Sequence, residues 1–281
     1  MLISVHSSKV HYDLELTRRV TVVRGNSGTG KTQLCQLVAS GLKTVTIVAD
    51  RTVAVVPVRK PPDISKWLDI YNGCILLIDE NAVWTGTQLF WDEVMKRDIY
   101  VLVITRDTSS IKADFSINEI YELHSSGKYV TLKKYYSDKV NSKKNTGLLV
   151  TEDSKSGYKF FKLFHKKVIS AKGKDNIGNF LQRYLNDCTY VIDGAAFGRL
   201  YDKLYRRALQ GYIDIIAPES FEELLLKSTL FSNVRDMIDL SRANSYKTWE
   251  NFYEKTLSSI MKDVGAHGYA KSELSGCFTK R

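Results

Sequence analysis

An eight-residue run near the start of the chain has the composition and spacing of a phosphate-binding loop. It fits the pattern G-x-x-x-x-G-K-[ST] and consists of Gly25, Asn26, Ser27, Gly28, Thr29, Gly30, Lys31 and Thr32. Glycines allow the backbone to take positive φ and to turn its N–H groups inward, which makes a concave site for an anion. The pattern therefore predicts a site for the phosphates of a nucleoside triphosphate such as ATP.

Two residues of this run carry the expected chemistry. Lys31 is expected to contact the β- and γ-phosphates, and the Thr32 hydroxyl is expected to ligate Mg²⁺. A β-branched stretch at 20–23 precedes the run, and the stretch 32–39 is typical of a helix, which supplies further N–H groups to an anion. The alternative is a glycine-rich turn without a ligand, and this strand–loop–helix context favours the phosphate site.

A second candidate motif lies further along the chain, where four apolar residues at 75–78 run into Asp79 and Glu80. A fully apolar run of this length is typical of a parallel strand that is covered on both faces. Such a segment looks like a Walker B motif, in which Asp79 would hold the water shell of Mg²⁺ and Glu80 would polarise the attacking water. An ordinary acidic turn is the alternative, and the upstream phosphate-binding loop favours the nucleotide interpretation.

A third group of candidates follows the strand predicted over 99–104, which ends in Thr105, Arg106 and Asp107. In P-loop ATPases that place a strand between the two motif strands, the end of that strand carries a polar residue near the γ-phosphate. The resemblance makes Thr105 or Arg106 the candidate for this role. A surface ion pair between Arg106 and Asp107 is the alternative.

Size and composition indicate a globular protein without a membrane partner. The chain has 281 residues, of which 43% are hydrophobic and 26% are charged. Its first residues lack the pattern of a signal peptide, and no apolar stretch is long enough to cross a bilayer, so a cytoplasmic protein is expected. The cysteines form no C-x-x-C pair and are typical of free thiols in a reducing compartment. They are Cys35, Cys74, Cys188 and Cys277.

The positive charge is concentrated in one part of the chain. The net charge is +10, and lysines greatly outnumber acidic residues between 133 and 174, where tyrosines and phenylalanines are interleaved. Contact with the phosphate backbone of a nucleic acid is one interpretation of this pattern. A solvated surface that keeps the protein soluble is the other.

The second half predicts another α/β unit. Strands are predicted over 148–151, 168–171, 189–192 and 213–216, and helices alternate with them, which predicts a parallel sheet. Ligands bind at the edge where the carboxyl ends of such strands gather. Glu152, Asp193 and either Glu219 or Glu222 follow strands, and clustered carboxylates suit Mg²⁺ or Mn²⁺. Metal-assisted phosphodiester cleavage needs such a cluster.

This order resembles the Toprim fold of topoisomerases, primases and the OLD-family nucleases. That family has a Glu after its first strand and an Asp-x-Asp after its third. Glu152 matches the Glu, Asp193 matches the first Asp, and Ala195 stands where the second Asp is expected. The resemblance implies a metal-dependent nuclease with Glu152 and Asp193 as catalytic residues and metal ligands, and a later acid, Glu219 or Glu222, is expected to restore the missing metal ligand, with Glu222 as the candidate. Because of Ala195, a domain that binds without cutting is the alternative.

The whole chain resembles the OLD-like ATPase–nucleases of bacterial phage defence, and its first half looks equally like a reduced AAA-type module. The predicted fold class is α/β, with a small P-loop NTPase domain built on a parallel sheet at 1–140. A Toprim-like domain with a C-terminal helical tail is predicted at 146–281. The amphipathic helix in that tail, at 246–264, is expected to pack in a core or an interface.

The resemblance implies that ATP binding or hydrolysis gates assembly on nucleic acid or its cleavage, in phage defence or DNA processing. One alternative is an ATP-dependent switch or scaffold that binds nucleic acid or a protein partner. Another is a small-molecule kinase, against which Glu80 favours a hydrolytic water. A homo-oligomer is expected because many P-loop ATPases complete their site with a neighbour's arginine. The candidates are Arg18, Arg19, Arg97 and Arg106.

Overall fold

The chain divides into two compact units, Met1–Ser137 and Asp138–Arg281, each with its own sheet. The computed structural model describes residues 1–25, 28–136, 147–184, 186–227 and 249–263. Both units combine strands and helices, so the chain is α/β as predicted. The predicted boundary between residues 140 and 146 lies outside the described residues.

The first unit is built on a nine-stranded sheet with three α-helices. The helices are α1 (Lys31–Ser40), α2 (Ile64–Ile70) and α3 (Gln88–Met95). The strands are β1 (Leu2–His6), β2 (His11–Glu15), β3 (Val20–Arg24), β4 (Thr46–Ala49), β5 (Val53–Val55), β6 (Ile75–Ile78), β7 (Tyr100–Thr105), β8 (Ile120–Ser126) and β9 (Tyr129–Lys134). Their spatial order is β4-β1-β2-β9-β8-β3-β7-β6-β5.

Five neighbouring strands of this sheet are parallel. β3 pairs with β7 and β8, and β6 pairs with β5 and β7, all in parallel register. Every residue of β3 and β6 is buried, as expected for apolar strands covered on both faces. Since β7 lies between β3 and β6, the carboxyl ends of these three strands lie side by side.

The prediction of a parallel sheet is wrong for most pairs of the other half, so the sheet as a whole is mixed. β1 is antiparallel to β2 and β4, and β8 is antiparallel to β9, whereas β2 and β9 are parallel. For β1–β2 and β8–β9 the physical reason is the length of the connection, because strands joined by a short turn can pair only in antiparallel fashion. The turns around Ser8 and Gly127 are connections of this kind.

Within the described residues of the second unit, four strands form a parallel sheet, as predicted. Its strands are β10 (Leu148–Thr151), β11 (Val168–Ser170), β12 (Cys188–Val191) and β13 (Ile213–Ile216). They lie in the order β11-β10-β12-β13. The helices are α4 (Ser156–Phe164), α5 (Ile177–Arg183), α6 (Tyr201–Leu209), α7 (Phe221–Lys227) and α8 (Trp249–Asp263).

The amphipathic C-terminal helix α8 packs into a core, as its pattern predicts. Phe252, Tyr253, Leu257 and Ile260 are buried against α7 and the phenylalanines of α4. Each fully buried side chain of this size contributes roughly 1.5–3 kcal/mol to folding. Among the described helices, none combines the length and apolar character needed to cross a bilayer.

The three cysteines in the described part of the chain are free thiols. Cys35 and Cys188 are buried, and Cys74 is half-buried. Burial raises the pKa of the Cys35 thiol to about 12, so it stays protonated at physiological pH. Cys277 lies outside the described residues.

Candidate functional site

The predicted phosphate-binding loop connects β3 to α1, although Asn26 and Ser27 lie outside the described residues. Gly28 and Gly30 have φ of 85° and 84°, in the left-handed region that glycine tolerates. Lys31 is the first residue of α1 and is 7% exposed. Its Nζ donates a hydrogen bond of 2.8 Å to Thr29 Oγ1. The ammonium group is therefore folded back along the loop that would carry the phosphates.

Most of the predicted nucleotide residues line one cavity of about 260 Å³, although Gly25 and Thr105 do not. The loop contributes Lys31 and Thr32, the end of β6 contributes Asp79 and Glu80, and the end of β7 contributes Arg106. The cavity is also lined by Gly28, Thr29, Gly30, Gln33 and Ile104. Loop glycines, two basic residues, two threonines and two acidic residues thus line a common space.

The charged groups of this cavity act on one another. Arg106 Nε lies 3.3 Å from Glu80 Oε2. The pKa of Lys31 is lowered, mainly because the ammonium is buried and also because Arg106 is near. The negative charges of Glu80 and Asp79 oppose this shift only in part. Asp79 Oδ1 accepts hydrogen bonds from the backbone N–H and the side-chain amide of Asn81, at 3.1 and 2.9 Å. These bonds orient the Asp79 carboxylate at the end of β6.

The structure separates the two candidates at the end of β7. The Thr105 hydroxyl is buried, donates to the Asp107 carbonyl at 2.9 Å and accepts from its N–H at 3.0 Å. Thr105 lines an adjoining cavity of about 230 Å³, and Arg106 lines both. Arg106 is therefore the candidate phosphate contact, and its observed carboxylate partner is Glu80 rather than Asp107.

Two residues that the sequence did not single out support this site. Tyr12 on β2 is buried and donates a hydrogen bond of 2.9 Å to the Gly30 carbonyl. Arg24, at the end of β3, donates from Nε to the Arg106 carbonyl at 3.2 Å and from Nη1 to Tyr136 Oη at 3.0 Å. These contacts join residues that are distant in the chain, so no local sequence motif could identify the partners.

Replacing Gly30 by alanine is expected to damage the loop more than the same change at Gly28. Both glycines have nearly equal positive φ, where an L-residue costs about 1–2 kcal/mol. A Cβ at Gly30 would lie 2.9 Å from the Tyr12 hydroxyl oxygen, whereas a Cβ at Gly28 would meet none of the described residues within 4 Å. Urea unfolding of both variants measures the difference, and equal losses of stability would contradict the importance of the Tyr12 contact.

In the second unit, Glu152, Asp193 and Glu222 line one cavity of about 290 Å³. Glu152 Oε2 accepts the Asp193 backbone N–H at 3.0 Å, and Glu222 is 1% exposed. β10 and β12 are the neighbouring strands from which the chain winds in opposite directions. The carboxyl edge at such a switch point is where open α/β sheets bind ligands. Lys155 and Lys172, which the sequence did not select as site residues, line the same cavity.

The neighbouring acidic residues have different roles. Asp153 also lines the cavity, but its carboxylate accepts the N–H groups of Lys155, Gly157 and Tyr158 at 3.0–3.1 Å and so binds the start of α4. Glu219 is buried and does not line the cavity, which favours Glu222 between the two predicted alternatives. Within the described part of the chain, no group of three or more His, Cys, Asp or Glu side chains is arranged to hold a metal ion. A second metal site therefore stays a prediction.

The lysine-rich region 133–174 is divided between the two units. Lys133 pairs with Glu122 at 3.6 Å, and Lys134 lies over the ring of Tyr121. Lys155 and Lys172 belong to the second cavity, while the lysines at 139, 143 and 144 lie outside the described residues. A nucleic-acid partner for this region stays a prediction.

Two arginines considered for a neighbour's site form contacts within the first unit. Arg97 pairs with Asp69 and Glu93, each at 2.7 Å. Arg19 donates hydrogen bonds to carbonyls at the end of α3, including that of Val94 at 3.0 Å. These side chains hold elements of their own unit together, and a homo-oligomer stays a prediction.

Known proteins offer no further guide to either cavity. Comparison of the chain with protein-family models, with curated proteins and with solved structures gave no match. Functional inference therefore depends on the chemistry of the residues that line the two cavities.

Proposed function

We propose that the first unit binds ATP together with Mg²⁺ and hydrolyses it. The observation that supports this most is the single cavity shared by Lys31, Thr32, Asp79, Glu80 and Arg106. These residues come from three segments that are distant in the sequence. Each residue has the chemical character that nucleotide hydrolysis requires at its position. If the loop were an accidental glycine-rich turn without a ligand, two carboxylates and a second cation would not be expected to line the same cavity.

Each residue has a defined role in the proposed reaction. Lys31 and the loop amides bind the phosphates, and Thr32 and Asp79 offer oxygen ligands for Mg²⁺, which would neutralise phosphate charge. Glu80 orients a water molecule and accepts its proton while the water oxygen bonds to the γ-phosphorus. The bond from the γ-phosphorus to the bridging oxygen breaks, and ADP and phosphate leave. A carboxylate at Glu80 favours this water over the hydroxyl of a kinase substrate.

The test of this function is nucleotide binding and phosphate release by the wild-type chain. We expect calorimetric binding of ATP in the presence of Mg²⁺, with release of inorganic phosphate in the absence of any acceptor molecule. Chelating the metal with EDTA should stop the release. Binding of ATP with phosphate release only when a small-molecule acceptor is added would favour a kinase, and absence of binding would refute the proposal.

We further propose that the second unit is a Toprim-like, metal-dependent nuclease whose action on nucleic acid is gated by ATP, in phage defence or DNA processing. The support is the shared cavity of Glu152, Asp193 and Glu222 at the carboxyl edge of a parallel sheet. Carboxylates at this position suit Mg²⁺ or Mn²⁺. Ala195 favours the alternative, an ATP-dependent switch or scaffold that binds nucleic acid or a protein without cutting it.

The variant Glu152→Gln separates the two possibilities. If the unit is a nuclease, wild-type protein should cut single- or double-stranded nucleic acid with Mn²⁺, and the variant should be at least about a hundredfold slower because a metal-binding charge is lost. Asp175→Asn is the control, since Asp175 is exposed and lies outside the cavity. If neither wild type nor variant cuts any substrate, the non-cleaving alternative is favoured.

A further inference from the structure

We propose that Arg106 is a switch between two partners. In the absence of a triphosphate its guanidinium pairs with Glu80, and when a triphosphate binds it turns to the γ-phosphate and releases Glu80. Arg106 is thus a positioning residue that keeps Glu80 from orienting water until there is a γ-phosphate to attack. This inference rests on the ATPase function proposed above and adds to it a mechanism for distinguishing ATP from ADP.

The contact that suggests the switch is the ion pair at the edge of the phosphate cavity. Arg106 Nε and Glu80 Oε2 are 3.3 Å apart, and both residues line the cavity with Lys31 and Thr32. A guanidinium in an ion pair with a carboxylate occupies one side of it and competes with water for its oxygens. While the pair persists, Glu80 is therefore hindered from orienting the attacking water.

The side chain of Arg106 can change partners at little cost. It is 63% exposed, and the Glu80 side chain is 35% exposed, so solvent screens their attraction. A pair of this kind is weak and is readily exchanged for a better partner. A phosphate is such a partner, because it carries more charge than a carboxylate and accepts two parallel hydrogen bonds from a guanidinium.

The backbone beneath this side chain is fixed, so the movement is confined to the side chain. The Arg106 carbonyl accepts the hydrogen bond from Arg24 Nε, and Arg24 is only 8% exposed. The residues before and after Arg106 are also joined to each other, because the Thr105 hydroxyl donates to the Asp107 carbonyl and accepts from the Asp107 N–H. A long side chain on a rigid base can therefore turn between Glu80 and the cavity without rearranging β7.

ADP lacks the phosphate that would attract Arg106, so the exchange depends on the triphosphate. Two consequences follow for nucleotide affinity. Glu80 competes with the γ-phosphate for Arg106, so removal of the Glu80 charge should strengthen triphosphate binding. That gain should require Arg106, because without its guanidinium Glu80 and the γ-phosphate have no common partner.

A double-mutant cycle with Glu80→Gln and Arg106→Ala tests the switch. Affinities for ADP and for an ATP analogue with an imido group between the β- and γ-phosphorus atoms are measured by calorimetry, so that hydrolysis does not interfere. We expect Glu80→Gln to tighten binding of the analogue about two- to fivefold, the range of an exposed ion pair, and to change ADP binding less. In the Arg106→Ala background the gain should disappear.

A gain in the Arg106→Ala background as large as in the wild type would overturn the switch, because it would mean that Glu80 only repels the phosphates. An unchanged ratio of analogue to ADP affinity in Arg106→Ala alone would overturn it as well. Lys66→Ala, which removes an exposed cation paired with Asp63 outside the cavity, controls for the loss of positive charge. Thermal melts of all variants control for folding.

Failure of the switch is distinguishable from failure of the proposed function. If wild-type protein binds neither nucleotide, or if Lys31→Ala binds both as well as the wild type, the ATP site itself is refuted, and the switch with it. If wild-type protein binds both nucleotides and Lys31→Ala does not, but the cycle shows no coupling, only the switch is overturned.

Discussion

Lys31→Ala is expected to reduce ATP hydrolysis at least about a hundredfold and to weaken ATP binding strongly. The Lys31 ammonium is buried in the loop, beside the space where the phosphates would lie. Removing one charge-stabilising donor from such a site costs roughly 3–4 kcal/mol in the transition state, about two to three powers of ten in rate. Phosphate release at saturating ATP and calorimetric titration together measure the two effects.

Lys43→Ala is the matched control, because Lys43 is exposed just beyond the end of α1 and does not line the cavity. It removes the same charge and should leave both measurements unchanged. Since α1 begins at Lys31, circular dichroism and a thermal melt must show that Lys31→Ala is folded. A folded Lys31→Ala variant with wild-type turnover would refute the phosphate site.

The strand–loop–helix unit could be predicted from the sequence because its signals are local. A β-branched run, glycines at the positions of positive φ and a helical pattern lie next to one another, and β3, the loop and α1 follow them. Asp79 and Glu80 were also predictable, since an apolar run directly before two carboxylates marks the end of a buried strand. Local patterns of this kind identify elements and their ends.

The spatial order of the strands could not be read from local patterns. β7 follows β6 in the chain yet lies between β3 and β6, an order that only the resemblance to P-loop ATPases suggested, and this placement brings Arg106 to the cavity. Order in a sheet is decided by packing between distant segments rather than by periodicity. The same holds for Tyr12 and Arg24, whose contacts with Gly30 and Arg106 join separate strands.

Adjacent carboxylates in the second unit show a different limit of the sequence. Glu152 and Asp153 both follow β10 and both line the cavity, but Asp153 accepts N–H groups at the start of α4, whereas Glu152 accepts the N–H of Asp193 after β12. Which bonds each of two neighbouring acids forms depends on the direction that the chain takes after the strand. The parallel sheet itself was predictable, because strands and helices alternate with short connections.

Glu80→Gln is expected to lower ATP hydrolysis at least about a hundredfold while ATP binding is retained, because an amide cannot accept the proton of the attacking water. Binding therefore separates the two residues, because Lys31→Ala weakens it and Glu80→Gln does not, although both changes slow hydrolysis. Glu122→Gln is the matched control: Glu122 is likewise a glutamate in an ion pair, with Lys133, but it lies on β8 outside the cavity. Single-turnover phosphate release at saturating ATP makes the comparison. Wild-type hydrolysis by Glu80→Gln would remove Glu80 from the reaction and leave Asp79 and Arg106 as the charged groups facing the phosphates from β6 and β7.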